Sequence, residues 1–119
     1  MLAYLIDVKR MEVQTVELSG DYREIYPLIG CETFTCVHIN DKNDVIYVDD
    51  EGLLKDLKTQ SFFMFKGYPQ PLAGNGLILG TDDEGGSKSP EISMMEVIKS
   101  VSYMTFYQVL RWSREHPGL

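Results

Sequence analysis

Cysteine is scarce in this chain, and the two that occur, Cys31 and Cys36, are too few for a disulfide framework. They read as free thiols of a reducing compartment. Histidine is equally rare, with only His38 and His116. Basic residues number 11 against 18 acidic ones, leaving a formal net charge of −7. That balance disfavours a phosphate-backbone binder, whose affinity comes from clustered Lys and Arg. Small ligands, cations and basic protein surfaces remain as partners. No apolar run approaches the roughly 20 residues needed to span a bilayer, so no membrane partner is expected. Asp7, Lys9 and Arg10 interrupt the first segment too early for a signal peptide. A cytoplasmic location is the expectation.

What is present has the composition of an ordinary folded protein, 44% apolar and 24% charged. A length of 119 residues fits a single domain, 1–119, with one hydrophobic core. The acidity is concentrated. The tetrapeptide Asp-Asp-Glu-Gly occurs twice, at Asp49-Asp50-Glu51-Gly52 and at Asp82-Asp83-Glu84-Gly85. Each copy follows a short apolar run, Val45 to Val48 or Leu77 to Leu79, and so marks the turn after a strand.

The hydrophobic pattern predicts an α+β fold with a largely antiparallel sheet of six or seven short strands and two or three short helices. Ala3 to Val8 and Met11 to Leu18 read as a hairpin, the second run changing phase as if bulged near Thr15. Asp21 and Glu24 mark a helix start, Pro27 keeps that helix short, and Gly30 ends it. Thr33 to Asn40 and Val45 to Val48 form a second hairpin around Asp41-Lys42-Asn43. Leu53 to Lys58 fits either a helical turn or a returning strand, and Ser61 to Lys66 reads as a buried strand. A Pro/Gly loop runs from Gly67 to Gly74, followed by a short strand at Leu77 to Leu79 and a polar stretch from Thr81 to Pro90. Ser93 and Glu96 open a helix, while Val101 to Leu110 fits strand or helix.

Four constellations bear on chemistry. Asp49, Asp50, Glu51, Asp82, Asp83 and Glu84 are candidate ligands for a divalent cation, provided the two turns meet. Ordinary turn chemistry explains the same residues, with each Gly at positive φ. Cys36 and His38 share one face of a strand, with Cys31 as a third candidate ligand, although a buried structural cysteine accounts for the pattern as well. Arg111-Trp112-Ser113-Arg114 is the one basic–aromatic patch, suited to self-association or to a clamp on the acidic turns. Tyr68, Gly74, Asn75 and Gly76 form the candidate ligand or partner site. There backbone N–H groups would meet an anion while Tyr68 covers an apolar part. The two loops that flank the 77–79 strand are expected to open near one sheet edge.

Three stretches carry a resemblance: Ile25 to Cys31, Tyr47 to Gly52, and Leu72 to Gly80. Over roughly residues 2–86 the chain resembles a family of small bacterial and phage proteins of unknown function. The resemblance implies a compact domain met in phages and mobile elements. It supplies no catalytic or binding residues, and Ser87 to Leu119 lie outside it.

The sequence thus points to a non-catalytic binding module for a protein or a small anionic ligand, without a cofactor, with a homo-oligomer among the expected assemblies. A metal-dependent hydrolase built on the acidic turns is one alternative. An acidic mimic that occupies a basic protein groove is another.

Overall fold

A computed structural model describes residues 1–52, 55–56 and 58–117. Among them are nine strands and three short helices in antiparallel sheets, an α+β fold. Seven of the strands have five or six residues, and the other two have two each.

The first hairpin is β1 (Leu2–Asp7) and β2 (Glu12–Glu17), paired without interruption from Leu2↔Glu17 to Asp7↔Glu12. The bulge expected near Thr15 is absent. Val13 packs into one core and Val16 into the other, so the strand needs apolar residues in both phases. A single 3-10 turn, Tyr22–Glu24, leads into α1 (Ile25–Ile29). Asp21 caps that turn by accepting from the Arg23 backbone N–H, and Gly30 ends α1 at φ 66°. Pro27 is tolerated because it stands in the first helical turn, where its missing N–H would have no partner.

β3 (Phe34–His38) and β4 (Asp44–Asp49) make the second hairpin, with Asn43 left-handed at φ 67° in its turn. The expected element at Leu53 to Lys58 falls partly on Leu53, Leu54 and Leu57, outside the described residues. β5 (Ser61–Phe65), β6 (Leu72–Ala73) and β9 (Val101–Thr105) form a small sheet in the order β6-β5-β9. β7 (Gly76–Thr81) lies at the centre of the large sheet, in the order β2-β1-β7-β4-β3. The polar stretch after it contributes β8 (Ser87–Lys88), paired to β7. α2 (Met94–Ser100), capped by Ser93, precedes β9. α3 (Phe106–Glu115) then follows β9 through a capping box between Thr105 and Gln108. The Val101–Leu110 segment is therefore strand first and helix second.

Both faces of the large sheet are covered. Tyr4, Ile6, Ile46 and Ile78 face Phe63 and Phe65 of the small sheet and Val97 of α2. Ala3, Leu5, Leu77 and Leu79 face Ile25 and Ile29 of α1. The central strands therefore read as continuous apolar runs rather than alternating ones. Gly76 is buried because a Cβ there would lie 2.8 Å from Phe63 Cζ and 2.9 Å from Ile46 Cγ2. Its lack of a side chain lets the two sheets close.

Among the described residues one charged side chain, that of Asp44, is fully buried. Asp44 Oδ1 accepts from the Glu91 N–H at 2.8 Å, and Oδ2 accepts from the Ile92 N–H at 2.8 Å and Asn40 Nδ2 at 2.9 Å. It ties the segment before α2 to the start of β4.

Candidate functional site

β4 and β7 are antiparallel, with Asp44 opposite Gly80 and Tyr47 opposite Leu77. The turn after β4 and the turn after β7 therefore leave opposite ends of the sheet, separated by roughly 24 Å of extended chain. The two acidic turns do not meet. Among the described residues no group of three His, Cys, Asp or Glu side chains is arranged to hold a metal ion.

Each turn has the same local logic. Asp49 Oδ1 accepts from the Glu51 N–H at 2.9 Å, and Asp82 Oδ1 accepts from the Glu84 N–H at 2.9 Å. The first aspartate of each copy thus holds an Asx turn. Asp50, Glu51, Asp83 and Glu84 are exposed.

The end of the sheet that carries Asp49 holds a polar cavity of about 260 Å³. Its wall includes Asp7 at the end of β1 and Lys9 after it, Leu28 and Gly30 at the close of α1, Asp49, Lys55, and the Gly74–Asn75 turn before β7. Lys55 Nζ pairs with Asp49 Oδ2 at 2.5 Å and donates to the Gly30 carbonyl at 3.1 Å. A cation there suits the negative end of a helix. The hydrogen-bonded Asp49 carboxylate raises the Lys55 pKa, so the amine stays charged well into alkaline pH. Cys31 stands close by. Burial first, and the Asp49 charge second, push its thiol pKa up, so it stays protonated and poorly nucleophilic. Lys9 is exposed and has no ion-pair partner among the described residues.

The four residues expected to bind a ligand are dispersed. Gly74 and Asn75 line the cavity, but the Gly74 N–H donates to the Ser61 carbonyl at 2.9 Å and is not free to cradle an anion. Asn75 is a brace: its Oδ1 accepts from the Val8 N–H at 3.0 Å and its Nδ2 donates to the Leu28 carbonyl at 3.3 Å. Gly76 lies in the core. Tyr68 follows the far end of β5, the length of that strand away from Gly74 (roughly 13 Å), and packs half-buried on the core. The loops before and after β7 likewise leave opposite ends of the sheet, because a strand carries its two neighbours apart.

Cys36 and His38 are exposed on the edge strand β3, while Cys31 lies beside Asp49 at the end of α1. His116 stacks on Trp112 with ring centroids 4.3 Å apart. Arg111 and Arg114 form no ion pair among the described residues, so the intramolecular clamp on the acidic turns is not made. Lys9, Lys55 and Asp44 escape sequence reasoning. The lysines carry no spacing signal and become neighbours only through the topology. Asp44 does leave a trace, a carboxylate wedged between the Asn43 turn and an apolar run.

A family model described as Domain of unknown function (DUF3846) matches residues 1–102. The chain belongs to that family. The match reaches past residue 86 and takes in β8 and α2, so of the three helices only α3 lies wholly beyond DUF3846. "Uncharacterized protein y4iR" of Sinorhizobium fredii (strain NBRC 101917 / NGR234) is 30% identical over 95 residues, covering 78% of this chain and 57% of that protein. "Protein PsiB" of Rhizobium leguminosarum bv. phaseoli is 35% identical over 72 residues, 60% of this chain and 52% of that one. The chain thus spans somewhat more than half the length of each of these bacterial relatives. No solved structure matches it. Among the described residues no helix is long and apolar enough to cross a membrane.

Proposed function

We propose that the chain is a non-catalytic binding module that takes a small anionic ligand in the cavity between the end of α1 and the Gly74–Asn75 turn. The observation that carries this reading is the composition of the wall. Lys9 and Lys55 line one cavity of about 260 Å³ together with Asp7 and Asp49; Asp7 pairs with Arg10 and Asp49 with Lys55, which leaves Lys9 as a cation with no ion-pair partner among the described residues. Asp49 and the Gly30 carbonyl hold Lys55 in place, so its charge is positioned before a ligand arrives. Asn75 braces β1 against α1 and keeps the cavity open. The anion contacts come from these side chains rather than from a backbone nest.

The phage or mobile-element setting belongs to the same proposal and is supported by the sequence resemblance alone. A cytoplasmic location is supported by the unpaired thiols of Cys31 and Cys36. An acidic mimic has less support, since mimicry needs charge spread over one face and here it sits in turns at opposite ends.

The test is a nitrogen–proton NMR titration of the full chain with citrate and with inorganic phosphate. Saturable shifts at Gly30, Gly74 and the Asn75 side-chain amide, lost in Lys9→Ala, support the proposal. Absent shifts at millimolar anion, or shifts indifferent to Lys9→Ala, refute it.

A further inference from the structure

A second cavity, of about 100 Å³, lies at the other end of α1. Its lining includes the aromatic residues Tyr22, Phe34 and Tyr47 and the buried apolar residues Leu18, Ile25 and Leu79. Phe34 and Tyr47 meet nearly at right angles, 86° with centroids 5.4 Å apart, and so form a corner. Tyr26 supports that corner from behind, 5.1 Å from Phe34 and 6.2 Å from Tyr22. Tyr22 is 61% exposed and makes the outer wall.

We propose that this cavity is an aromatic cage for a quaternary or fully methylated ammonium group. Aromatic faces carry negative electrostatic potential and attract a cation that lies over them. Asp21 and Ser87 also line the cavity, but the Asp21 carboxylate is bound by the Arg23 guanidinium and backbone N–H, so the N–H groups of a primary ammonium would find few free acceptors. A methylated ammonium has no such donors and brings apolar surface that these side chains can bury. The volume of about 100 Å³ restricts the occupant to a compact group.

Charge at the rim favours the same occupant. The charged groups beside the cavity are largely paired: Asp21 with Arg23 at 2.8 Å, and the Met1 ammonium with Glu17 at 3.0 Å. The excess comes from the turn that leads into Ser87, a lining residue, where the exposed Asp83 and Glu84 have no ion-pair partner among the described residues. The second acidic turn thereby acquires a role as an attractor for cations entering the cage. This proposal does not depend on the anion site, which lies at the opposite end of α1.

Two sources share this chemistry, a free choline-like molecule and a trimethyl-lysine on a protein. The experiment is calorimetric titration of the full chain with choline, with its neutral carbon isostere 3,3-dimethylbutan-1-ol, and with a short trimethyl-lysine peptide beside its unmodified form. Choline or the methylated peptide should bind saturably, the neutral isostere and the unmodified peptide at least tenfold more weakly. Tighter binding of the peptide than of choline assigns a protein partner, and the reverse assigns a small molecule. Tyr22→Leu should weaken binding at least tenfold while Tyr22→Phe retains it. Tyr22 is mostly exposed, so both variants should melt as the parent does. Neutral and cationic probes binding alike, no binding by either cation, or indifference to Tyr22→Leu would overturn the proposal. Lys9→Ala should leave cation binding unchanged, which separates failure here from failure of the anion site.

Discussion

Replacing Asp44 with alanine removes one carboxylate and strands three donors. The Glu91 and Ile92 backbone N–H groups and the Asn40 side-chain amide all point at it, at 2.8, 2.8 and 2.9 Å. An unsatisfied buried donor costs about 1–3 kcal/mol, and bonds to a charged acceptor lie toward the upper end. Two terms reduce the total. The carboxylate's own burial is unfavourable and disappears with it, and Glu91 is exposed enough for water to reach its amide. The net expectation is a loss of about 3 kcal/mol, a large fraction of the roughly 5–15 kcal/mol that holds a domain together. In a domain of this size that lowers the melting temperature by roughly 10 °C. Urea unfolding followed by far-ultraviolet circular dichroism is the appropriate assay, because Trp112 sits on the terminal helix α3 and reports that helix first. The midpoint should fall while the slope stays constant, the sign of lost stability in an unchanged fold. Amide exchange should locate the effect, with protection lost at Glu91 and Ile92 before it is lost at β7. Asp44→Asn should fall between, since its NH₂ would face a donor. A loss below about 1 kcal/mol for Asp44→Ala would refute the reasoning, by showing that water replaces the carboxylate at no cost.

Gly76→Ala should destabilise by about 1–3 kcal/mol through overpacking against Phe63 and Ile46; a neutral result in urea would mean that the two sheets separate easily. The Arg23 guanidinium hydrogen-bonded to Asp21, and the Ser19 hydroxyl bonded to Glu24, hold both carboxyl pKa values below their ordinary 3.8 and 4.5. Their stabilisation is present above those values and is lost as pH falls through the lower folded ones, so melting temperature should decline below pH 4.5, and less steeply in Arg23→Ala. Lys55 has the opposite sign. Its pKa is raised above the ordinary 10.5 by Asp49, so its contribution holds below pH 10.5 and fades as pH rises through the folded value, a loss that Asp49→Asn should remove. Iodoacetamide at neutral pH should alkylate the exposed Cys36 well before Cys31, whose thiol is half-buried and shifted upward; equal rates by peptide mass spectrometry would contradict the placement of Cys31.

Local chemistry was readable in the sequence, and long-range geometry was not. Asp21, Gly30, Asn43 and Ser93 act where they stand, so capping and turn rules located the short helix, its end, the second hairpin and α2. The phase change in β2 misled because periodicity assumes one covered face, whereas α1 and the small sheet cover both. β6 and β8 have two residues each, too few to leave a pattern. The residues of the expected ligand loop stand apart for a topological reason. Tyr68 and Gly74 are close in sequence, but the chain turns back along β5 through β6 and leaves them at opposite ends. The lysines of the cavity lie far apart in sequence, at 9 and 55, and a single chain read alone offers nothing to connect them.

The repeated tetrapeptide shows how far identical residues determine identical structure. In both copies the first aspartate folds back on the N–H two residues later, as short-range hydrogen bonding requires. The glycines then diverge. Gly85 takes φ 85° with open space around it, so it serves the turn alone. Gly52 keeps a negative-φ backbone and is buried, with a Cβ there 3.1 Å from that of Ala73, so it serves packing against β6. The aspartates diverge in the same way. The Asp49 side chain is 5% exposed and held by Lys55, as part of the cavity wall, whereas Asp82 spends its carboxylate on its own loop, accepting also from the Gly86 N–H at 2.7 Å. Local sequence therefore fixes the turn, while position along β4 or β7 fixes what the turn is for. One copy orders a lysine in the wall of the cavity at the end of α1, and the other projects two exposed carboxylates from the opposite end of the sheet.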